Sequence, residues 1–166
     1  MMRLIASIVL ALCLGLAAGC GRVPPLADAQ ESPEALLTAV LGALASRDTV
    51  TLNRLVVSEQ EFKDHVWPHL PAARPERNLP FSYVWGDLRQ KSQQGMSRTL
   101  RDLGGQRLRL VRVSFSDKTE YPGAVVHRRT VVTVVDDRGY TREVRVCGSL
   151  IEQDGRWKVF SYVTGD

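Results

Sequence analysis

The stretch that decides the fold is residues 125–163, whose sequence is VVHRRTVVTVVDDRGYTREVRVCGSLIEQDGRWKVFSYV. Residues 125–135 are rich in the β-branched side chains that favour a pleated, half-buried surface. Turn residues follow at 136–139, and the Asp154-Gly155 pair is a strong signal for a tight hairpin. The pattern predicts three consecutive antiparallel strands, over residues 125–135, 140–151 and 156–163.

The second of these strands carries a periodic signal that identifies its buried face. Because successive side chains of a strand point to opposite sides of the sheet, residues at alternate positions share one face. One face carries Tyr140, Val144, Val146 and Leu150. The other face carries Thr141, Glu143, Arg145, Cys147 and Ser149, most of which are polar. The pattern predicts that the first face packs against the core.

The N-terminal half supplies helices to cover this sheet. Ser32 is placed as an N-cap, with Pro33 at the first helical position and Glu34 in the first turn. Apolar residues then recur at three- and four-residue steps and form one stripe, which comprises Leu36, Leu37, Val40, Leu41 and Leu44. Further helices are predicted over residues 49–56, 58–66 and 87–103. Their signals are a cap at Asp48, a capping box at 58–61 and a glycine stop at 104–105.

The remaining connections contain irregular features. Residues 66–80 include four prolines and are predicted to form a loop that packs on the domain through its aromatic side chains. A strand is predicted over residues 107–115, where the apolar alternation shifts between Leu110 and Val111. Such a shift is typical of a β-bulge. Residues 116–123 are predicted to form a polar turn.

Residues 1–19 have the features of an export signal. Arg3 precedes an uncharged apolar run over residues 4–16 that is short for a membrane span. The run ends in LAAGC at residues 16–20, and here the chain resembles bacterial lipoproteins, whose signal peptides end just before a cysteine that becomes lipidated. The resemblance implies cleavage before Cys20 and attachment of lipid to it. An ordinary secretory signal and an uncleaved anchor are the alternatives.

The lipoprotein resemblance also implies a location and a membrane partner. The chain would be held to a membrane of the cell envelope through Cys20. Gly21 is not the aspartate that commonly retains such lipoproteins at the inner membrane, so the outer membrane facing the periplasm is expected. Residues 20–31 are predicted to be a lipidated tether and residues 32–166 a single α+β domain. No intramolecular disulfide is expected, because Cys147 is then the last free cysteine.

The order of elements indicates an α+β fold. Together with residues 43–48 and 154–159, this layout resembles the nuclear transport factor 2-like fold, also described as cystatin-like. The resemblance implies N-terminal helices packed on one face of a curved, cone-shaped antiparallel sheet of about four strands. It does not imply one function, because that fold hosts isomerases, dehydratases, binding modules and dimerisation domains.

In the fold that the chain resembles, helices and sheet enclose a pocket. Its candidate ligand-binding residues are Tyr83, Asp87, His127, Tyr140 and Tyr162. The functional hypothesis requires an acid or histidine whose pKa is shifted inside an apolar cavity. The structural alternative is that the tyrosines are ordinary strand aromatics, Asp87 is a helix cap and His127 lies on a rim.

Other site chemistries find little support in the sequence. His65 and His69 have the spacing of zinc ligands, with His127 as a third, but Pro68 disrupts the helix that would present them. No metal site and no cofactor is therefore predicted. Cys147 has no histidine near it in sequence and is predicted to be a small buried residue.

The net charge of +4 is modest, and the basic residues are scattered without interleaved aromatic side chains. Nucleic-acid binding is therefore not predicted. We expect a ligand-binding or protein-interaction module without catalysis of its own. The alternatives are an isomerase- or dehydratase-type enzyme and a structural component, which would contact an envelope protein or a second copy through the sheet face. A carboxylate inside an apolar pocket would favour the enzyme.

Overall fold

The computed structural model describes residues 23–77 and 79–163, which form an α+β fold. The helices of this part of the chain are α1 (Pro33–Ala45), α2 (Thr49–Arg54), α3 (Glu59–His65) and α4 (Phe81–Leu103), with short 3-10 helices at Trp67–His69 and Pro71–Ala73. The strands are β1 (Arg109–Ser114), β2 (Asp117–Tyr121), β3 (Ala124–Arg128), β4 (Val131–Val135), β5 (Thr141–Val144), β6 (Ser149–Gln153) and β7 (Arg156–Ser161).

The strands form two antiparallel sheets against which the helices pack. The smaller sheet has the order β1-β4-β5, and the larger sheet has the order β2-β3-β6-β7. The chain therefore changes sheet between β1 and β2, between β3 and β4, and between β5 and β6. The prediction of about four strands in one sheet was wrong, because each of the long runs 125–135 and 140–151 is divided between the two sheets.

The crossing between β3 and β4 has a local backbone cause. Arg129 has a left-handed backbone conformation with φ 54°, which residues other than glycine seldom adopt and which cannot continue a strand. At the same place the Thr130 backbone N–H donates to the Gly148 carbonyl at 3.2 Å. The β3–β4 and β5–β6 crossings are thus joined to each other, and this junction separates the two sheets.

The main core lies beneath α1, as its apolar stripe predicts. The N-cap is confirmed, since the Ala35 N–H donates to the Ser32 side chain at 3.0 Å. All members of the stripe are buried: Leu36, Leu37, Val40, Leu41 and Leu44. They pack with Val132 and Val134 of the smaller sheet and with Leu150 of the larger sheet. Both sheets therefore contribute to one core.

A second core covers the opposite face of the larger sheet. Ile151 and Val126 lie there, packed with Phe62 of α3. The predicted face assignment of residues 140–151 was only partly right, because the face predicted to lie away from the core is also buried at Cys147, which lies in the main core, and at Ser149. Tyr140, which was predicted to be buried, is 69% exposed, since it lies in the turn before β5. Val144, Val146 and Leu150 are buried as predicted.

The predicted tether is partly folded onto the domain. Leu26 and Ala29 are buried in the second core. The backbones of Gln30 and Trp157 exchange two hydrogen bonds of 2.8 Å, and the Leu26 N–H donates to the Gln153 side chain at 3.0 Å. The C-terminal part of the predicted tether, which was placed over residues 20–31, therefore packs on the domain. The sequence has no periodic pattern there that would have indicated this burial.

Helix α4 begins at Phe81, six residues before the predicted start at residue 87. Pro80 precedes it and supplies no side-chain cap, so the usual start signal is missing. The helix passes so close to the end of β7 that a Cβ on Gly95 would lie 2.1 Å from the Tyr162 carbonyl oxygen. Only glycine fits at this contact, which places α4 directly against β7.

Local predictions elsewhere had mixed outcomes. The capping box at Ser58 is confirmed, and so is the β1 bulge, where the register shifts between Leu110 and Arg112. The hairpin between β6 and β7 is confirmed at Asp154 and Gly155, which have φ of 49° and 73°. The predicted polar turn over residues 116–123 was wrong, since it contains β2 paired with β3.

Candidate functional site

A groove of about 260 Å³ lies between α4, the α2–α3 connection and the end of β7. We call it the apolar groove. Its apolar lining consists of Val56, Val57, Trp85, Leu88, Met96, Phe160 and Tyr162. Its polar lining consists of Asn53, Ser58, Glu59, Arg89, Ser92 and Gln93. A concave, mostly apolar site with a few polar groups is typical of sites for small molecules.

The sequence builds the two long walls of this groove by simple periodicities. Trp85, Leu88, Ser92 and Met96 recur at three- and four-residue steps, so they lie on one face of α4. Phe160 and Tyr162 at the end of β7 supply the opposite wall. Because Gly95 lets α4 contact the Tyr162 backbone, the distance between the two walls is fixed.

Trp85 is the polar feature that distinguishes the apolar groove. Its indole Nε1–H is buried and has no hydrogen-bond partner in the described part of the chain. The ring itself is held by Phe62, with ring centroids 5.5 Å apart. A buried donor without an acceptor costs about 1–3 kcal/mol, so buried donors are usually paired. An acceptor on a bound molecule would remove this cost once the ring turned its N–H towards the groove.

The Tyr162 side chain is fixed in position and uncharged. Its hydroxyl donates to the Leu52 carbonyl at 3.0 Å, and its backbone N–H donates to the Ser92 side chain at 3.1 Å. Burial raises the pKa of Tyr162 well above its ordinary value, so the hydroxyl stays protonated at neutral pH. Tyr162 therefore suits a role in shaping the groove better than a role as an acid or base.

The other four pocket candidates do not line the apolar groove. Tyr83 lies on α4 but is 67% exposed, and Asp87 on the same helix forms an ion pair with Lys91 at 2.8 Å. Tyr140 lies in an exposed turn. His127 lies on β3. The structure therefore brings one of the five predicted residues, Tyr162, into the groove.

His127 belongs to an aromatic cluster on the larger sheet. Its ring centroid lies 4.9 Å from that of Phe115 and 4.7 Å from that of Trp157. Burial lowers the pKa of His127, although the Glu152 carboxylate 4.0 Å away opposes this effect. The neutral imidazole therefore packs as an aromatic ring between two others.

The histidines and the free cysteine do not form a reactive site in the described residues. The His65 side chain is buried and bonds to the Pro24 carbonyl, while His69 stacks on Tyr121 at 6.2 Å. No group of three metal-binding side chains occurs within residues 23–77 and 79–163. Burial raises the pKa of Cys147 to about 12, so its thiol is not a nucleophile at neutral pH.

Comparison with known proteins returns no relative. No family model, curated protein or solved structure matches this chain. Among the described residues, none of the helices has the length and apolar character needed to cross a membrane. Any functional assignment therefore depends on the residues of the groove and on the sequence before them.

Sequence reasoning missed Trp85, Ser92 and Phe160 as residues of the site. The signal for Trp85 was present, because Phe81, Trp85 and Leu88 continue the apolar stripe of α4 towards its N-terminus. It was overlooked because the helix was predicted to begin at residue 87. The contact between this stripe and β7 depends on residues far apart in sequence, and no local pattern encodes it.

Proposed function

We propose that the protein is a lipid-anchored lipoprotein of the bacterial cell envelope and that its folded part binds a small, mostly apolar molecule in the apolar groove. The observation that carries the binding part of this proposal is a groove with largely aliphatic and aromatic walls, one of which is the ring of Trp85, whose buried N–H has no partner among the described residues. The apolar walls favour a hydrophobic ligand, and the indole N–H favours one that carries a hydrogen-bond acceptor.

The titratable groups of the groove favour binding over catalysis. Glu59 is the carboxylate among the lining residues, and it is exposed to solvent. Glu61 is buried nearby in sequence, but both of its oxygens contact the Lys158 ammonium. General acid–base catalysis usually needs a group whose pKa is tuned by an apolar site. An isomerase or dehydratase would therefore lack its central group in this groove.

A nuclear transport factor 2-like arrangement is part of the proposal. It is supported by helices that pack against antiparallel sheets and by a groove between a long helix and a strand. In the fold that the sequence resembles, ligands lie between helices and sheet. The division of the strands into two sheets is compatible with strong bending at the Arg129 crossing.

Trp85→Phe is expected to weaken binding of a neutral amphiphilic probe several-fold. The probe is methyl 11-(dansylamino)undecanoate, titrated by its fluorescence into full-length protein held in an amphipathic polymer, with empty polymer as the blank. Phenylalanine keeps most of the apolar contact and removes the N–H, and one neutral hydrogen bond contributes about 0.5–1.5 kcal/mol. Met96→Trp, which fills the groove, should abolish binding.

The matched control for these variants is Tyr83→Phe on the same helix. Tyr83 is exposed and does not line the groove, so its variant should bind the probe like the parent. Absence of binding to the parent protein would contradict the proposed function. Unchanged affinity in both Trp85→Phe and Met96→Trp would place the binding site elsewhere.

The anchor is tested separately with Cys20→Ala. Cys20 lies outside the described residues, and its lipidation is a proposal from the sequence before it. The variant should leave the membrane fraction, because stable anchoring requires several acyl chains, or it should accumulate with its signal peptide uncleaved. In either case its mass should lack the acyl groups. Cys13→Ala is the matched control and should fractionate like the parent. Identical mature mass and fractionation in Cys20→Ala would contradict the lipoprotein proposal.

A further inference from the structure

A second, larger groove lies where the two sheets separate. It encloses about 720 Å³ beside the β3–β4 and β5–β6 crossings. We call it the basic groove, because four cationic side chains line it: Lys91, Arg128, Arg129 and Arg145. None of the described residues that line it is an aspartate or a glutamate. The groove therefore concentrates positive charge in a concave site, which favours an anionic group.

Arg129 is the cation best placed to meet such a group. Lys91 is paired with Asp87, Arg128 is paired with Asp117 at 3.2 Å, and Arg145 also has an interaction within the protein. Arg129 is exposed and makes no ion pair or side-chain hydrogen bond with any described residue. Its guanidinium can bind a carboxylate or phosphate through two parallel hydrogen bonds. The left-handed backbone at Arg129 sets it at the crossing itself.

The basic groove adjoins the apolar groove. Leu88 of α4 and Phe160 of β7 line both of them. The two sites therefore meet at one apolar pair of side chains, and Trp85 lines one of them while Arg129 lines the other. A molecule long enough to pass Leu88 and Phe160 would contact both sites at once.

We propose that the ligand is an anionic amphiphile whose apolar chain occupies the apolar groove and whose acid group is bound by Arg129 in the basic groove. This inference rests on the proposed function and specifies its ligand class. An oxygen on the apolar part of the molecule would accept the hydrogen bond of Trp85. A carboxylate and a phosphate share the required charge and geometry, so either can supply the acid group.

The test compares 11-(dansylamino)undecanoic acid with its methyl ester on the full-length protein. The two probes share the chain and the fluorophore and differ in the charge at the far end. The acid should bind about tenfold more tightly than the ester, and Arg129→Gln should remove most of that difference by weakening the binding of the acid more than that of the ester. Arg98→Gln is the control, since Arg98 is exposed on α4 and lines neither groove.

Each outcome decides between the two proposals. Equal affinity for acid and ester, or an undiminished difference in Arg129→Gln, would overturn the acid-binding inference and leave the proposed function standing. Failure of both probes to bind the parent protein would overturn both. Displacement of the bound acid by dodecanoate or by dodecyl phosphate supports the inference, and the stronger competitor identifies the acid group. Equal displacement by uncharged dodecanol would contradict it.

Discussion

Replacing Val146 by aspartate is expected to unfold the protein at room temperature. Val146 is 0% exposed and lies in the main core between β5 and β6, beside Cys147, which is 1% exposed. A carboxylate placed there has no cationic partner in the core cluster, and burying an unpaired charge costs far more than the few kcal/mol that a polar amide would. Because folded domains are stable by only about 5–15 kcal/mol, the variant should lose its cooperative melt.

Glu143→Lys is the matched control for Val146→Asp. Glu143 is exposed on β5, and surface substitutions usually change stability by less than about 0.5 kcal/mol. The two charge changes therefore differ mainly in burial. Circular dichroism melts of the full-length variants measure the effect. A parental melting temperature for Val146→Asp would show that residue 146 is not buried, and with it that the β5–β6 crossing is misplaced.

Local signals predicted the starts of elements and the turns well. The caps at Ser32, Asp48 and Ser58 and the hairpin at Asp154-Gly155 are all present. Each of these features depends on residues within four positions of one another, because caps and tight turns are closed by short-range hydrogen bonds. A sequence pattern can therefore report them without knowledge of the rest of the fold.

The division into two sheets could not be predicted in the same way. The β-branched run continues through Arg129 and Thr130 without a glycine or proline, so nothing in the composition marks the break. What holds the crossing is the Thr130–Gly148 hydrogen bond between residues 18 positions apart. The sheet that a strand joins is decided by such tertiary contacts, which outweigh intrinsic strand preference.

The candidate site was only partly predictable for a related reason. Tyr162 was proposed as a pocket residue because the sequence resembles a fold whose helices and sheet enclose a pocket, and it does line the apolar groove. His127 was proposed from the same resemblance, yet it lies among aromatic rings on the larger sheet. Strand position fixes the alternation of faces but not which element covers each face. Here the covering elements are α4 and the segment that precedes α1, residues 24–31, which we call the N-terminal segment.

The N-terminal segment and α3 are joined to the larger sheet by a buried ion pair. The Lys158 ammonium lies 2.9 Å from both carboxylate oxygens of Glu61, and the two residues are 3% and 8% exposed. The same oxygens accept the backbone N–H of Ala27 at 2.8 Å and of Ser58 at 2.7 Å. One carboxylate thus connects the segment, the α3 capping box and β7.

Lys158→Met is expected to destabilise the protein by about 3–5 kcal/mol. Removing one member of a buried pair leaves the other charge without compensation, and that loss is larger than the net contribution of the pair itself. Adding Glu61→Gln should restore much of the stability, because glutamine is neutral and still accepts the capping-box hydrogen bond. Urea unfolding of the parent, both single variants and the double variant measures this coupling. Additive losses in the double variant would contradict the buried pair.

Acidification provides an independent test of the same carboxylate. Burial alone would raise the pKa of Glu61, but the Ser58 N–H and the Lys158 ammonium outweigh it and hold that pKa below its ordinary value of 4.5. On acidification, the unfolded chain therefore takes up this proton before the folded chain does. The contribution of Glu61 to stability is present above pH 4.5 and is lost as the pH falls through the lowered folded value. Between pH 5 and pH 3, the double variant Glu61→Gln/Lys158→Met should lose less unfolding free energy than the parent. An equal loss in the two proteins would mean that Glu61 has the same pKa in the folded and the unfolded protein.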